Sequence, residues 1–119
     1  MLVAIDGALA PSLLWYDLRN ILVMATRRGR LPDGKAALAI ARLRSLPIET
    51  VDMTVSGDSS VIELAGGHRL SAYDATYLAL SMRTSAPLAT ADRALGRAAG
   101  QEGIRLLLKQ LSLILLLKQ

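Results

Sequence analysis

Helix-type and strand-type segments alternate along this sequence, and that alternation restricts its fold more than any other feature. The predicted helices have apolar residues at helical spacing and cover residues 13–28, 33–43, 61–64, 72–82 and 93–99. The predicted strands are short and apolar and cover residues 48–51, 88–90 and 104–108. Such alternation is typical of α/β proteins, in which helices connect the strands of a parallel sheet. We therefore predict an α/β fold with a short parallel sheet flanked by helices.

The composition fits a single domain with a well-filled core. Hydrophobic residues make up 52% of the 119 residues and charged residues 20%, which argues against disorder. We expect this domain over residues 1–108, followed by an apolar tail over residues 109–119. The chain lacks cysteine and has no recognisable signal peptide or membrane anchor, so we expect a cytoplasmic protein. Its net charge of +4 favours a polyanionic partner but also occurs in proteins that bind no nucleic acid.

Asp17 is an unusual acid because it lies within the apolar stripe of the first predicted helix, between Leu14 and Ile21. Asn20, one turn later, faces the same way. A buried carboxylate is costly unless a cation, a metal or several hydrogen-bond donors lie beside it. Two interpretations therefore stand side by side: a structural hydrogen bond of Asp17 or Asn20 with the backbone or with an arginine, and a metal ligand.

Asp74 and Asp92 are further candidate ligands, and each has a structural alternative. Ser71 and Asp74 match the capping-box pattern of a helix start, and Asp92 is a suitable N-cap for the helix that follows it. An acid in the first helical turn stays ionised beside free backbone N–H groups, and an acid after a parallel strand lies at the edge where α/β folds bind ligands. Both positions therefore suit a ligand as well as a cap.

Together, Asp17, Asp74 and Asp92 can meet at one edge of the predicted sheet. Carboxylates without cysteine or histidine favour hard cations such as Mg²⁺ or Mn²⁺. Such a metal activates water for phosphodiester hydrolysis. His68, the one histidine of the chain, is predicted to be a solvated loop residue, and Trp15 and Tyr16 are predicted to pack against the protein.

Three blocks of this sequence resemble successive blocks of PIN-domain ribonucleases of the VapC toxin family. They read PSLLWYDLRN from Pro11, LSAYDATYL from Leu70 and LATADRAL from Leu88, in the family's order and spacing. The resemblance implies a PIN-like three-layer fold and a Mg²⁺- or Mn²⁺-dependent endoribonuclease. It also implies an RNA substrate, a cognate antitoxin that covers the acidic site, and a homodimer.

The resemblance assigns roles to individual residues. Asp74 and Asp92 match acidic metal ligands, whereas Asp17 stands where the family usually has glutamate and is therefore expected to act as an outer, water-mediated ligand. Thr90 and Asn20 match polar residues that support the site. No residue is assigned to RNA binding.

The sequence departs from the family pattern at its start. Family members begin with a strand that carries an aspartate, and we expect this strand and its aspartate to be missing here, since Asp6 has no predicted strand before it. The apolar segment 111–117 is a candidate to fill the vacant sheet position. The alternative to a nuclease is a catalytically inactive, truncated PIN domain that only binds an antitoxin or another copy of itself.

Overall fold

Five helices and three short strands make up the protein in a computed structural model that describes residues 2–4, 7–90 and 92–106. The helices are α1 (Leu14–Arg27), α2 (Lys35–Arg44), α3 (Asp58–His68), α4 (Ala72–Thr84) and α5 (Arg93–Gln101). The strands are β1 (Leu2–Ala4), β2 (Gly7–Pro11) and β3 (Ile48–Val51). The mixed α/β class predicted from the sequence is confirmed.

The sheet has the strand order β1, β2, β3, and one of its two strand pairs is antiparallel while the other is parallel. β2 and β3 are parallel, and α1 and α2 connect them. β3 was predicted, whereas β2 was not among the predicted strands. β1 runs antiparallel to β2, with Leu2 opposite Leu9. The expectation that no strand precedes Asp6 was therefore wrong, because a three-residue stretch is enough to form a hairpin with the apolar strand that follows. Asp6 itself lies outside the described residues.

The first helix begins later than the sequence suggests. Pro11 belongs to β2, and α1 starts after Leu13, which offers no side-chain cap. The predicted apolar face holds, since Leu14, Leu18, Leu22 and Ala25 are all buried. The helix forms without a side-chain cap because burial of these apolar side chains stabilises it.

α3 is longer than predicted because Gly66 and Gly67 lie inside it. Glycine is tolerated in a helix at a cost of about 1 kcal/mol relative to alanine. The helix ends instead at Arg69, which has φ of 54° and lets Leu70 N–H donate to the Ala65 carbonyl.

α4 lies at the centre of the fold and is buried on more than one side. Leu78 is fully buried, and so is Ser81. The helical spacing of Ala75, Leu78, Ala79 and Met82 predicts one apolar face, but Met82 is 37% exposed and the buried Tyr77 lies outside this set. The simple one-face prediction was wrong here because a helix enclosed by several neighbours does not show a single apolar stripe.

The C-terminal part of the described chain is joined by one parallel bridge between Leu88 and Leu106. The predicted strands at 88–90 and 104–108 are reduced to this bridge within the described residues, and α5 between them extends to Gln101. Leu88 is fully buried in the core. The tail 109–119 and the segment 111–117 proposed to complete the sheet lie outside the described residues.

Among the residues that the structure describes, no helix combines the length and apolar character required to cross a membrane.

Candidate metal-binding cleft

The predicted site residues all line one cleft of about 340 Å³. Its walls come from α1, the start of α4 and the segment that leads into α5. The polar and charged side chains along these walls are Asp17, Asn20, Ser71, Tyr73, Asp74, Tyr77, Thr90 and Asp92. The convergence of acids expected from the sequence is therefore present, although the three carboxylates come from distant parts of the chain.

Asp17 is half-buried and accepts a hydrogen bond from Tyr77, whose hydroxyl oxygen lies 2.7 Å from Asp17 Oδ2. The two residues are 60 positions apart, so this contact joins α1 to α4. A hydrogen bond to a charged group stabilises by roughly 1.5–3 kcal/mol. The structural interpretation of Asp17 is thus correct in that its carboxylate is hydrogen-bonded, but the partner is a tyrosine and not the backbone or an arginine. The bond also restrains the orientation of the carboxylate in the cleft.

The pKa of the Tyr77 hydroxyl depends on its burial and on the negative charges of the cleft. Burial raises the pKa of the Tyr77 hydroxyl well above its ordinary value of 10.0, and the hydrogen bond to Asp17 and the negative charges of Asp17 and Asp74 raise it further. Tyr77 therefore stays protonated and serves as a donor. It also lies close enough to two carboxylates for both charges to act on it.

Asp74 lies in the first turn of α4, where Ser71 caps the helix. The Ser71 hydroxyl accepts a hydrogen bond from the Asp74 backbone N–H at 3.0 Å. The cap predicted from the sequence is therefore confirmed, but it uses the backbone of Asp74 and the side chain of Ser71. The half-buried Asp74 carboxylate lines the cleft.

Asp92 caps α5, as the structural alternative predicted. Its Oδ1 accepts from Leu95 N–H at 2.8 Å, and its own N–H donates to the Thr90 hydroxyl at 3.1 Å. Thr90 thus supports Asp92 through the backbone. The cap and the ligand interpretation are compatible because a carboxylate has a second oxygen.

The charges around this cleft are all of one sign. Its described lining contains three carboxylates and neither lysine nor arginine. No three acidic or histidine side chains among the described residues are close enough together to hold a metal directly. The oxygen donors fit a hard cation such as Mg²⁺, which usually keeps several water ligands and uses only one or two carboxylates.

His68 is not the solvated loop residue predicted from the sequence. It ends α3 and is half-buried, with Nε2 2.8 Å from Glu102 Oε1 and Nδ1 3.0 Å from Gln101 Oε1. We call this contact of His68, Gln101 and Glu102 the α3–α5 junction. The prediction was wrong because the partners lie more than 30 positions away and their proximity has no local signal.

A second cavity of about 410 Å³ lies elsewhere on the protein and contains none of the predicted site residues. Apolar and hydroxyl side chains dominate its described lining, including Met53, Leu64 and Met82, with Asp52 and Arg83 as charged members. Its larger volume does not make it the better candidate, because it lacks a convergent set of acidic groups.

Two cleft residues were missed by the sequence reasoning. Tyr77 lies one turn after Asp74 on the same helix, a spacing that hinted at a shared face, but nothing local revealed its bond to Asp17. Tyr73 lines the cleft and is 68% exposed.

Comparison of the chain with protein-family models and with curated proteins finds no match. The resemblance to VapC-type PIN domains therefore rests on the three sequence blocks and stays a prediction.

Proposed function

We propose that this protein is a Mg²⁺- or Mn²⁺-dependent endoribonuclease with a PIN-like fold of the VapC type, which hydrolyses phosphodiester bonds of RNA. One observation carries the proposal. Asp17, Asn20, Asp74, Thr90 and Asp92, chosen from the sequence, line a single cleft. The resemblance extends the proposal to a cytoplasmic homodimer whose cleft is covered by an antitoxin protein.

The carboxylates have different tasks in this proposal. Asp74 lies in the first turn of α4 and Asp92 caps α5, and both hold the metal. Negatively charged side chains are favoured at these positions because the backbone N–H groups at a helix start are unpaired. Asp17 acts through water at a greater distance. Tyr77 orients Asp17 by its hydrogen bond, and Thr90 fixes the backbone of Asp92.

The metal supplies an activated water and neutralises negative charge that grows on the phosphate during hydrolysis. The chain's own part is to hold the acids in fixed positions through the hydrogen bonds of Tyr77 and Thr90. The described lining of the cleft contains three carboxylates, so a bound cation lowers their mutual repulsion.

A second candidate function is a non-catalytic domain that binds an antitoxin or another copy of itself. It is favoured by the absence, among the described residues, of three acidic or histidine side chains close enough to hold a metal directly. The two candidates differ in a measurable property, metal-dependent cleavage of RNA.

The test is calorimetric titration of the purified chain with Mn²⁺ and Mg²⁺, together with RNA cleavage by the same samples. We expect binding and metal-dependent cleavage by the parent, and a loss of cleavage of at least about 100-fold in Asp74→Asn and Asp92→Asn, since even residues outside the first ligand shell contribute 10- to 100-fold. Asparagine retains the N-cap function at position 92, so a loss there reports charge and not folding.

The matched control is His68→Ala, which removes a titratable group at the α3–α5 junction and leaves the cleft untouched. It should bind the metal and cleave RNA as the parent does. Metal binding without cleavage, or neither, contradicts the nuclease and leaves the non-catalytic candidate.

A further inference from the structure

The four aromatic residues of this chain, Trp15, Tyr16, Tyr73 and Tyr77, differ in what surrounds their rings. The guanidinium of Arg44 lies 4.2 Å from the centre of the Trp15 ring, and that of Arg19 lies 5.2 Å from the centre of the Tyr16 ring. Tyr77 is buried and donates its hydroxyl to Asp17. Each of these three aromatic residues thus has a partner within the chain.

Tyr73 is different because its ring is 68% exposed and lines the acidic cleft. Within the described part of the chain its hydroxyl makes no hydrogen bond, and the two cation–π contacts involve the rings of Tyr16 and Trp15 instead. A single exposed aromatic residue is common on protein surfaces and needs no function by itself. Its position next to Asp74, at the wall of a cleft, is what gives this ring a surface on which a ligand can lie.

The charge of the cleft limits how an RNA strand is held there. Three carboxylates repel phosphates, and no lysine or arginine belongs to the described lining. Phosphate contacts, which supply most of the affinity in ordinary nucleic-acid binding, are therefore unfavourable at this surface when no cation is bound in the cleft. An uncharged contact with a base avoids this repulsion, and a tyrosine ring provides one.

We propose that the Tyr73 ring is a stacking platform for an unpaired base of the substrate, beside the acidic cleft. This deepens and rests on the proposed nuclease function. A base in a duplex already has both faces covered by its neighbours and cannot lie on the ring without leaving the stack. Stacking is also largely independent of sequence, because every base has an aromatic face.

The test is fluorescence anisotropy with a labelled octaadenylate RNA in EDTA, which excludes metal-dependent cleavage during the measurement. The dissociation constant should rise about 5- to 100-fold in Tyr73→Ala, the range expected for loss of one base–aromatic stack. Tyr73→Phe, which keeps the ring, should bind within about twofold of the parent, because the stacking surface is unchanged.

Tyr16→Ala is the matched control. It removes a tyrosine that is 71% exposed, but one that is absent from the lining of the cleft and already has Arg19 over its ring. It should bind octaadenylate like the parent. An octamer with abasic sites in place of the bases should bind the parent and Tyr73→Ala equally, since no base remains to stack.

Several results overturn the stacking proposal. One is that the parent fails to bind the octamer, or that it binds duplex RNA more tightly than single-stranded RNA. Another is that Tyr73→Ala binds as tightly as the parent. A third is that Tyr73→Phe weakens binding as much as Tyr73→Ala does. Cleavage with Mn²⁺ is scored separately. RNA cleavage with no effect of Tyr73 on binding supports the nuclease function and contradicts the stacking role of Tyr73. RNA binding that depends on Tyr73, without any cleavage, supports the stacking role and contradicts the nuclease function.

Discussion

The acidic cleft and the α3–α5 junction both bring titratable side chains together, but they do so in opposite ways. At the junction, His68 meets Gln101 and Glu102 at 3.0 and 2.8 Å, so the polar groups complement one another. In the cleft, three carboxylates share one cavity, and Tyr77 donates to one of them.

In the proposed function, this difference separates a stabilising cluster from a binding one. Complementary partners satisfy each other and lower the free energy of the folded state. Like charges held in one cavity raise that free energy, and a protein retains them where a ligand of the opposite charge compensates for the repulsion. Substitutions in the two regions should therefore differ in their effect on stability and on RNA cleavage.

The largest effect is expected for Tyr77→Phe, which removes the donor to Asp17 and keeps the buried ring. We expect a loss of about 1.5–2 kcal/mol in the free energy of unfolding, because a half-buried carboxylate loses a short hydrogen bond. Urea denaturation at neutral pH measures it. RNA cleavage should fall as well, since Asp17 is no longer oriented, and unchanged cleavage would show that Asp17 has no part in the reaction.

The next effect is a dependence of stability on alkaline pH. The pKa of Tyr77 is raised in the folded protein, so above its ordinary value of 10.0 the unfolded chain loses this proton while the folded protein keeps it. The free energy of unfolding should therefore be fully retained below pH 10 and fall above it by up to about 1.4 kcal/mol per pH unit from this group.

Urea denaturation from pH 8 to pH 11 of the parent and of Tyr77→Phe isolates this contribution, because other lysine and tyrosine side chains titrate equally in both. The stability curve of the parent should descend more steeply above pH 10. Parallel curves would contradict the prediction and place the Tyr77 hydroxyl in water.

The smallest effect is expected at the α3–α5 junction. His68→Ala removes contacts that are only half-buried, which predicts a loss of about 0.5–1 kcal/mol and no change in metal-dependent cleavage. Glu102→Gln keeps a hydrogen-bonding group opposite His68 and should lose less than His68→Ala. A fall in cleavage with either variant would break the division of the protein into a stabilising and a binding region.

The approximate positions of the helices, and the candidate ligands that line the cleft, could largely be predicted from the sequence. Ser71 and Asp92 cap helices through hydrogen bonds to residues three positions away, so their signal is local. The apolar spacing around Asp17 placed it and Asn20 on one face of α1, and both line the cleft. Such patterns depend on neighbours within one or two helical turns.

Contacts between segments that are distant in the sequence could not be predicted from such local patterns. The antiparallel pairing of β1 with β2 went unpredicted, because a three-residue strand has too little pattern to separate it from a loop. Tyr77 was assigned no role, and His68 was placed in solvent, since their partners lie 60 and more than 30 positions away.

The sequence by itself thus determined the approximate positions of the helices, the caps of α4 and α5, and which acids these helices carry. Only the tertiary structure decided that Tyr77 holds Asp17 in the cleft, that His68 joins α3 to α5, and that Tyr73 keeps an open ring face. The physical reason is that helix caps and apolar periodicity are set by short-range interactions, whereas side-chain pairing and exposure depend on which remote elements pack together.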